Sequence, residues 1–372
     1  MPVIDSARPR SAGPRSAGPR AVGPRTVPRG RPRRFLALIP LAVLAAAALD
    51  AAPAAAATGT PYLYVGSGLV PGDVIPYNLA TSSAGDPIRV GGAEGDVTSI
   101  VASPDGRTVY VGDTGSFSVS VIDTATNSVT ATIPVPGLPS GPNAIALSPD
   151  GSTLYASNGA GATVSVIDTT SDTVSKTIPV SAPGTGGIAV SPDGKTLYYL
   201  YVPDSGGAVN PGYVSAMSTA GTAIGNPIPV GEDPLGIAIS PDGKTGYTAN
   251  FGSNNVSAIT IADGTVATTP VQANIGSVAV SPDGGSVYAA SFDTVSRISP
   301  VSKRVITTYQ VGAGASSVAV SPDSSTVCTA DASDNAVSVI TPSNIKVNPV
   351  ATIRGFDYPQ AVAVTSVPAA AS

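Results

Sequence analysis

From residue 61 to residue 367 the chain alternates short apolar runs with polar, glycine-rich gaps in a fixed order. An apolar run such as Gly187-Ile188-Ala189-Val190 or Ser277-Val278-Ala279-Val280 predicts a strand. Pro-Asp-Gly follows, where proline presets φ and glycine supplies a left-handed residue, so the chain turns. Thr153-Leu154-Tyr155-Ala156 predicts the second strand of a copy. Thr163 to Asp168 predicts the third, and Val174 to Val180 the fourth. Strands of this length, punctuated by turn residues, form antiparallel meanders.

The grammar repeats. Ser-Pro-Asp-Gly stands at 103–106, 148–151, 191–194, 240–243 and 281–284, and Ser321-Pro322-Asp323-Ser324 is an altered sixth copy. The spacings are 45, 43, 49, 41 and 40 residues, a period that signals a repeat architecture. Fourth strands end in Pro-Val at Pro134-Val135, Pro179-Val180, Pro229-Val230 and Pro270-Val271. Proline cannot donate to a ladder, so this strand belongs at an outer edge. First strands carry a small residue at Ala146, Ala189, Ala238, Ala279 and Ala319, which suits strands crowded around an axis.

The ends complete the pattern. Tyr62-Leu63-Tyr64-Val65 is a second strand without a first, and Ala361-Val362-Ala363-Val364 is a first strand without a second. Joined, they make one blade. The expected fold is therefore all-β: a seven-bladed β-propeller of four-stranded antiparallel blades, closed by N- and C-terminal strands sharing one blade. The alternative is a tandem array of independent β modules.

Thr108-Val109-Tyr110-Val111-Gly112-Asp113, Ser118 to Asn127 and Thr132-Ile133-Pro134-Val135 resemble the YVTN-type β-propeller family of bacterial secreted and archaeal surface-layer proteins. The resemblance covers roughly residues 61–367 and implies the seven-bladed fold. It says little about function, because propellers host many unrelated activities.

The first 57 residues differ in character. Residues 1–34 are basic and proline-rich and are expected to be disordered. Residues 35–57 hold an apolar run from Phe35 to Leu49 and then Ala55-Ala56-Ala57, the features of a signal-peptide core and cleavage site. That run is short for a membrane span. Residues 58–372 form the propeller, secreted or associated with the cell surface, with no stable span after cleavage.

Charge narrows the partners. Nine arginines lie within 1–57, which leaves 10 basic against 22 acidic residues beyond. An acidic body argues against nucleic acid, whose phosphates need clustered Lys and Arg.

Candidate chemistry is sparse. The chain has no His, and its only Glu are Glu94 and Glu232. Related seven-bladed propellers include lactonases and lyases whose sites use His with Glu, Arg or a metal. The lack of His removes His-dependent triads and His–metal ligation. The turn Asp residues, such as Asp150 and Asp193, are explained by the turn itself, and Asp123 and Asp168 by local backbone bonds. Cys328 replaces the tyrosine found at Tyr110, Tyr155, Tyr198, Tyr247 and Tyr288, and reads as a buried thiol. Asp331, Asp334 and Asn335, or Glu232 with Asp233, lack the full spacing of a calcium loop. No cofactor, metal or catalytic residue is expected.

Loops after the second and fourth strands share one propeller face and carry the sequence variation, which makes that face the candidate binding surface. The longest departure runs from Val202 to Tyr213 in the fourth blade, counting the composite blade as the first. The candidate ligand-binding residues are Tyr199, Tyr201, Asp204, Tyr213, Asn250, Phe251, Asp293, Asp331 and Asp334; the alternative is that Tyr199 and Tyr201 pack between blades and the long loop is tolerated variation. Aromatic rings beside Asn and Asp suit an extracellular or envelope protein or a glycan. The expected function is a non-catalytic binding or scaffold propeller. The alternatives are a lactonase- or lyase-like enzyme without His and a self-assembling surface protein.

Overall fold

A computed structural model describes residues 59–69, 71–92, 95–136, 141–158, 161–180, 187–203, 211–342 and 350–368. The expected signal segment, Asp204 and Glu94 lie outside these residues. The described chain is nearly all β, with one short 3-10 turn at Ala332–Asp334. Among the described residues no helix is long and apolar enough to cross a membrane.

Seven antiparallel sheets form, each in simple meander order. Blade 2 uses Val97–Ala102, Thr108–Asp113, Ser118–Asp123 and Ser128–Pro134. Blades 3 to 7 repeat that plan, and every innermost strand packs against the next around the ring. Blade 1 is composite: its inner strand is Pro359–Pro368, paired antiparallel with Gly59–Ser67. The register sets Tyr64 opposite Ala363, so the two ends of the chain close the ring as expected. The outer strand of blade 1 is split into Ser83–Ala84 and Ile88–Arg89 on either side of Asp86-Pro87. Proline there cannot donate to the ladder, which interrupts it.

Burial follows position in the blade. Second strands are buried on both faces, because each blade is flanked by two others; Thr153–Asn158 shows this. Outer strands alternate, as Ser128–Pro134 does.

The repeated turn is a closed hydrogen-bond unit. Ser148 Oγ donates to Asp150 Oδ1 at 2.6 Å and accepts the Thr153 N–H at 2.9 Å, while the Ser152 N–H donates to Asp150 Oδ1 at 3.0 Å. The serine hydroxyl and these backbone donors hold Asp150, Asp193, Asp242 and Asp283 below the usual carboxylate range. The turn therefore consumes its carboxylate, as the sequence implied. Gly151 adopts φ +74°, which favours glycine. The altered copy places Ser324 at φ 61°, and its Oγ accepts the Asp283 N–H of the preceding blade's turn at 3.1 Å.

Three seams near the axis share a second device. The Ile145 N–H donates to Ser99 Oγ, the Val318 N–H to Ser277 Oγ and the Val362 N–H to Ser317 Oγ, at 3.2 to 3.4 Å. Each serine thus holds the inner strand of the following blade. Glycine occupies the same register position at Gly187 and Gly236, where a Cβ would meet the next strand's backbone at 3.0 and 3.3 Å.

Candidate functional site

Each loop on the variable face begins at the last residue of a second strand: Asp113, Asn158, Tyr201, Asn250, Ser291 and Asp331 in blades 2 to 7. A buried third-strand serine accompanies each of them: Ser120, Ser165, Ser215, Ser257, Ser296 and Ser338. In blade 5, Thr248 Oγ1 donates to Asn250 Oδ1, and Asn250 Nδ2 donates to Ser257 Oγ and Asn255 Oδ1, all at 2.8 Å. Blade 7 reproduces this cradle with a carboxylate. Thr329 Oγ1 donates to Asp331 Oδ1 at 2.8 Å, and Ser338 Oγ to Asp331 Oδ2 at 2.6 Å. The Gly312 N–H reaches both Asp331 Oδ2 and Ser338 Oγ at 3.2 Å. Burial pushes the Asp331 carboxyl up to about 6, against the pull of these donors.

Asn250 and Asp331 are therefore fully buried, with partners inside their own blades or loops. Their position shapes the loop above them. Tyr199 and Tyr201 are buried in the cluster between blades 3 and 4. Tyr201 stacks on Tyr213 with ring centroids 5.4 Å apart, and Tyr213 is half-buried in the strand Pro211–Ser218, not in a loop as expected. Asp293 is half-buried. Asp334 is exposed, and its Oδ2 accepts the Ala313 N–H at 2.9 Å. Phe251 is 42 % exposed in the loop after the second strand of blade 5.

The same face carries apolar groups that the sequence reading left out or passed over. Phe292 and Leu235 are each 47 % exposed, and Leu69 and Tyr358 are exposed as well. The Tyr358 backbone is held at φ 44° by its N–H bond to Asn335 Oδ1 at 2.9 Å. One signal for Leu235 was available: it takes the register position held by Thr98, Asn143, Ser316 and Gln360 in other blades.

Thr98, Asn143, Leu235, Ser316 and Gln360 line an axial cavity of about 260 Å³ with contributions from all seven inner strands. Hydroxyls, amides, isoleucine and valine line it, and among the described residues no charged residue does. Among the described residues no group of three or more Cys, Asp or Glu is placed to hold a metal ion. Asp331, Asp334 and Asn335 spend their oxygens on separate partners within the loops.

No family model matches the chain, and no curated protein matches it. Many solved structures share the fold. A functionally unknown protein from Desulfotomaculum acetoxidans is similar with a TM-score of 0.68 and 17% identity, over 82% of this chain and 99% of that one. A putative 6-phosphogluconolactonase from Bacteroides fragilis gives 0.63 and 16%, over 82% and 98%. Kuenenia stuttgartiensis hydrazine synthase gives 0.63 and 23%, over 73% and 90%. At such identities the likeness establishes the fold: this chain is a seven-bladed β-propeller.

Proposed function

We propose that the chain is an exported, non-catalytic propeller of the YVTN-like kind whose variable face receives an extracellular or envelope protein or a glycan. The observation that carries this reading is the set of exposed apolar side chains on that face, Leu235, Phe251, Phe292 and Tyr358, together with an axial cavity that no charged residue lines among the described residues. Exposed aromatic groups on a rigid scaffold are the usual anchors of an interface. Tyr213, Asp293 and Asp334 lie on the same face, and Asp204 is proposed to join them from the long fourth-blade loop. Tyr199 and Tyr201 position Tyr213, while Asn250 and Asp331 anchor their loops.

The test uses residues 58–372 as bait against envelope and secreted extracts of the source organism. A control bait carries Phe251→Ser, Phe292→Ser and Tyr358→Ser. A protein or glycan retained by the first bait and lost from the second supports the reading. Equal retention by both overturns the placement of the site.

The putative 6-phosphogluconolactonase of the same fold favours a second reading, a lactone hydrolase working at the axis. Among the described residues the axial lining offers hydroxyls and amides but no carboxylate, Lys or Arg to act as acid or base, which weighs against it. Turnover of 6-phosphogluconolactone that is lost in Asn143→Ala or Gln360→Ala would favour this second reading over the first.

A further inference from the structure

One seam departs from the repeat at Gly246, and two further features, at Ile261 and in the outer strand of blade 4, face the same space. Second strands place a large apolar residue opposite the end of the inner strand: Leu63, Val109, Leu154, Leu197, Val287 and Val327. Blade 5 has Gly246 there, paired with Ile239 and Ile259. A Cβ on Gly246 would meet Ile239 Cδ1 at 3.5 Å and Ile259 Cδ1 at 3.9 Å, both ordinary contacts. The glycine is thus not demanded by crowding.

The second feature is Ile261. The second-strand tyrosines of blades 2 and 3 bond a threonine in the following blade's last turn, Tyr110 with Thr169 and Tyr155 with Thr219, whereas Tyr64 bonds Asn127 and Tyr288 bonds Ser286, just before its own strand. Thr169, Thr219 and Ile261 share a register, each donating its N–H to the residue before a second strand. Tyr198 of blade 4 therefore faces Ile261, which has no hydroxyl, and bonds Thr196 on its own strand.

The third feature is in the outer strand of blade 4. Ala216 pairs with Ile224 and Val214 with Ile228, so the bulge at Gly225-Asn226, with Gly225 at φ +65°, takes in two extra residues where the outer strands of blades 2, 3 and 6 take in one.

Together these changes leave a cavity of about 290 Å³ between blades 4 and 5. Isoleucines dominate its wall, Tyr198 and Thr196 supply hydroxyls, Asn226 an amide, and among the described residues no charged residue lines it. Ile224 stands at the rim, 46 % exposed, beside the bulge. Glycine inside a strand and unfilled apolar space both cost stability, and the repeat has a filler to hand in Leu or Val. A pocket of this size lies at the low end for small-molecule sites. Apolar cavities of this kind take up apolar molecules in preference to water.

We propose that this cavity is a binding site for an uncharged aliphatic chain bearing at most one hydroxyl or carbonyl group. The isoleucine wall takes the chain, and Tyr198 with Thr196 meets the polar end. The absence of a charged lining excludes an ionic head inside the cavity. The proposal is independent of any partner on the variable face.

The probe is N-phenyl-1-naphthylamine, a neutral fluorophore, titrated into the full-length protein, which has no Trp to interfere. Fluorescence is expected to rise to saturation at one site and to fall on addition of 1-octanol. Gly246→Leu should raise the probe's Kd at least tenfold while raising the melting temperature. Gly246→Ala, whose methyl the site accommodates without movement, should weaken binding several-fold and keeps the test decisive should the leucine variant fail to fold. The absence of saturable binding, or binding by the alanine variant as tight as by the wild type, overturns the proposal.

Discussion

The blade 7 cradle makes a prediction about a single atom. Asp331 occupies the place that Asn250 holds in blade 5, between Thr329 and Ser338, the counterparts of Thr248 and Ser257. Burial raises the Asp331 carboxyl from 3.8 to about 6. The folded state therefore binds a proton more tightly than the unfolded chain. The stability this proton confers is fully present below pH 3.8 and is lost as pH rises through about 6. A shift of roughly two pH units corresponds to ~3 kcal/mol between the acid and the neutral limit. Asp331→Asn removes the charge and keeps the geometry. Thr329 still donates to Oδ1, Nδ2 can donate to Ser338 Oγ as Asn250 does to Ser257, and the Gly312 N–H retains Ser338 Oγ as acceptor. Allowing for the weakened Gly312 bond, the variant should be more stable at pH 8 by ~2 kcal/mol, or ~3 °C in Tm for a domain of this size. At pH 4 the advantage should shrink to almost nothing. Thermal or urea unfolding of both proteins at the two pH values measures this difference. A variant less stable than the wild type at pH 8, or an advantage equal at both pH values, refutes the argument.

Other positions give further expectations. Gly194→Ala meets nothing closer than Pro149 Cδ at 3.7 Å and should cost only the left-handed penalty of ~1–2 kcal/mol, whereas the Cβ of Gly106→Ala would lie 2.0 Å from the Ser366 oxygen and should cost at least ~3 kcal/mol; urea midpoints separate the two. Ser277→Ala leaves the Val318 N–H without its acceptor and should lower stability by ~1 kcal/mol, while the same assay on Ala144→Ser reports whether a stitch can be added where blade 3 lacks one. The thiol of Cys328 is fully buried and pushed up to about 12, chiefly by burial, so iodoacetamide at pH 8 should leave the native protein unmodified and label it once in urea. The turn carboxylates titrate in the opposite sense to Asp331. Their folded values are lowered, so their contribution is present above the ordinary carboxylate range and is lost as pH falls; Ser148→Ala should make acid unfolding less steep.

The fold was legible because its information is local. Proline, aspartate and glycine in one turn fix where each hairpin reverses, and their period counts the blades. The composite blade was legible because two orphan strands at opposite ends of the repeat have one way to pair. The candidate site was less legible, and the reason is geometric. Tyr199 and Tyr201 lie two residues apart and so share one face of their strand, which, read alone, suits either an exposed aromatic surface or packing between blades. In a propeller the second strand has neighbouring blades on both faces, and all of Leu197 to Tyr201 is buried. Asn250 and Asp331 look like loop residues because glycine or serine follows soon after. The serines that receive them, Ser257 and Ser338, lie across a hairpin, visible only once two strands are set in register. The Gly246 cavity follows the same logic. No residue in it carries a motif, and Gly246, Ile261 and Gly225 look unremarkable one at a time. Their meaning appears only by comparing each with its counterparts in the other blades. In a repeat protein the other copies define what packing requires at each position. A copy that gives up a large side chain and widens its outer-strand bulge around one space departs from that requirement in a direction that favours a ligand.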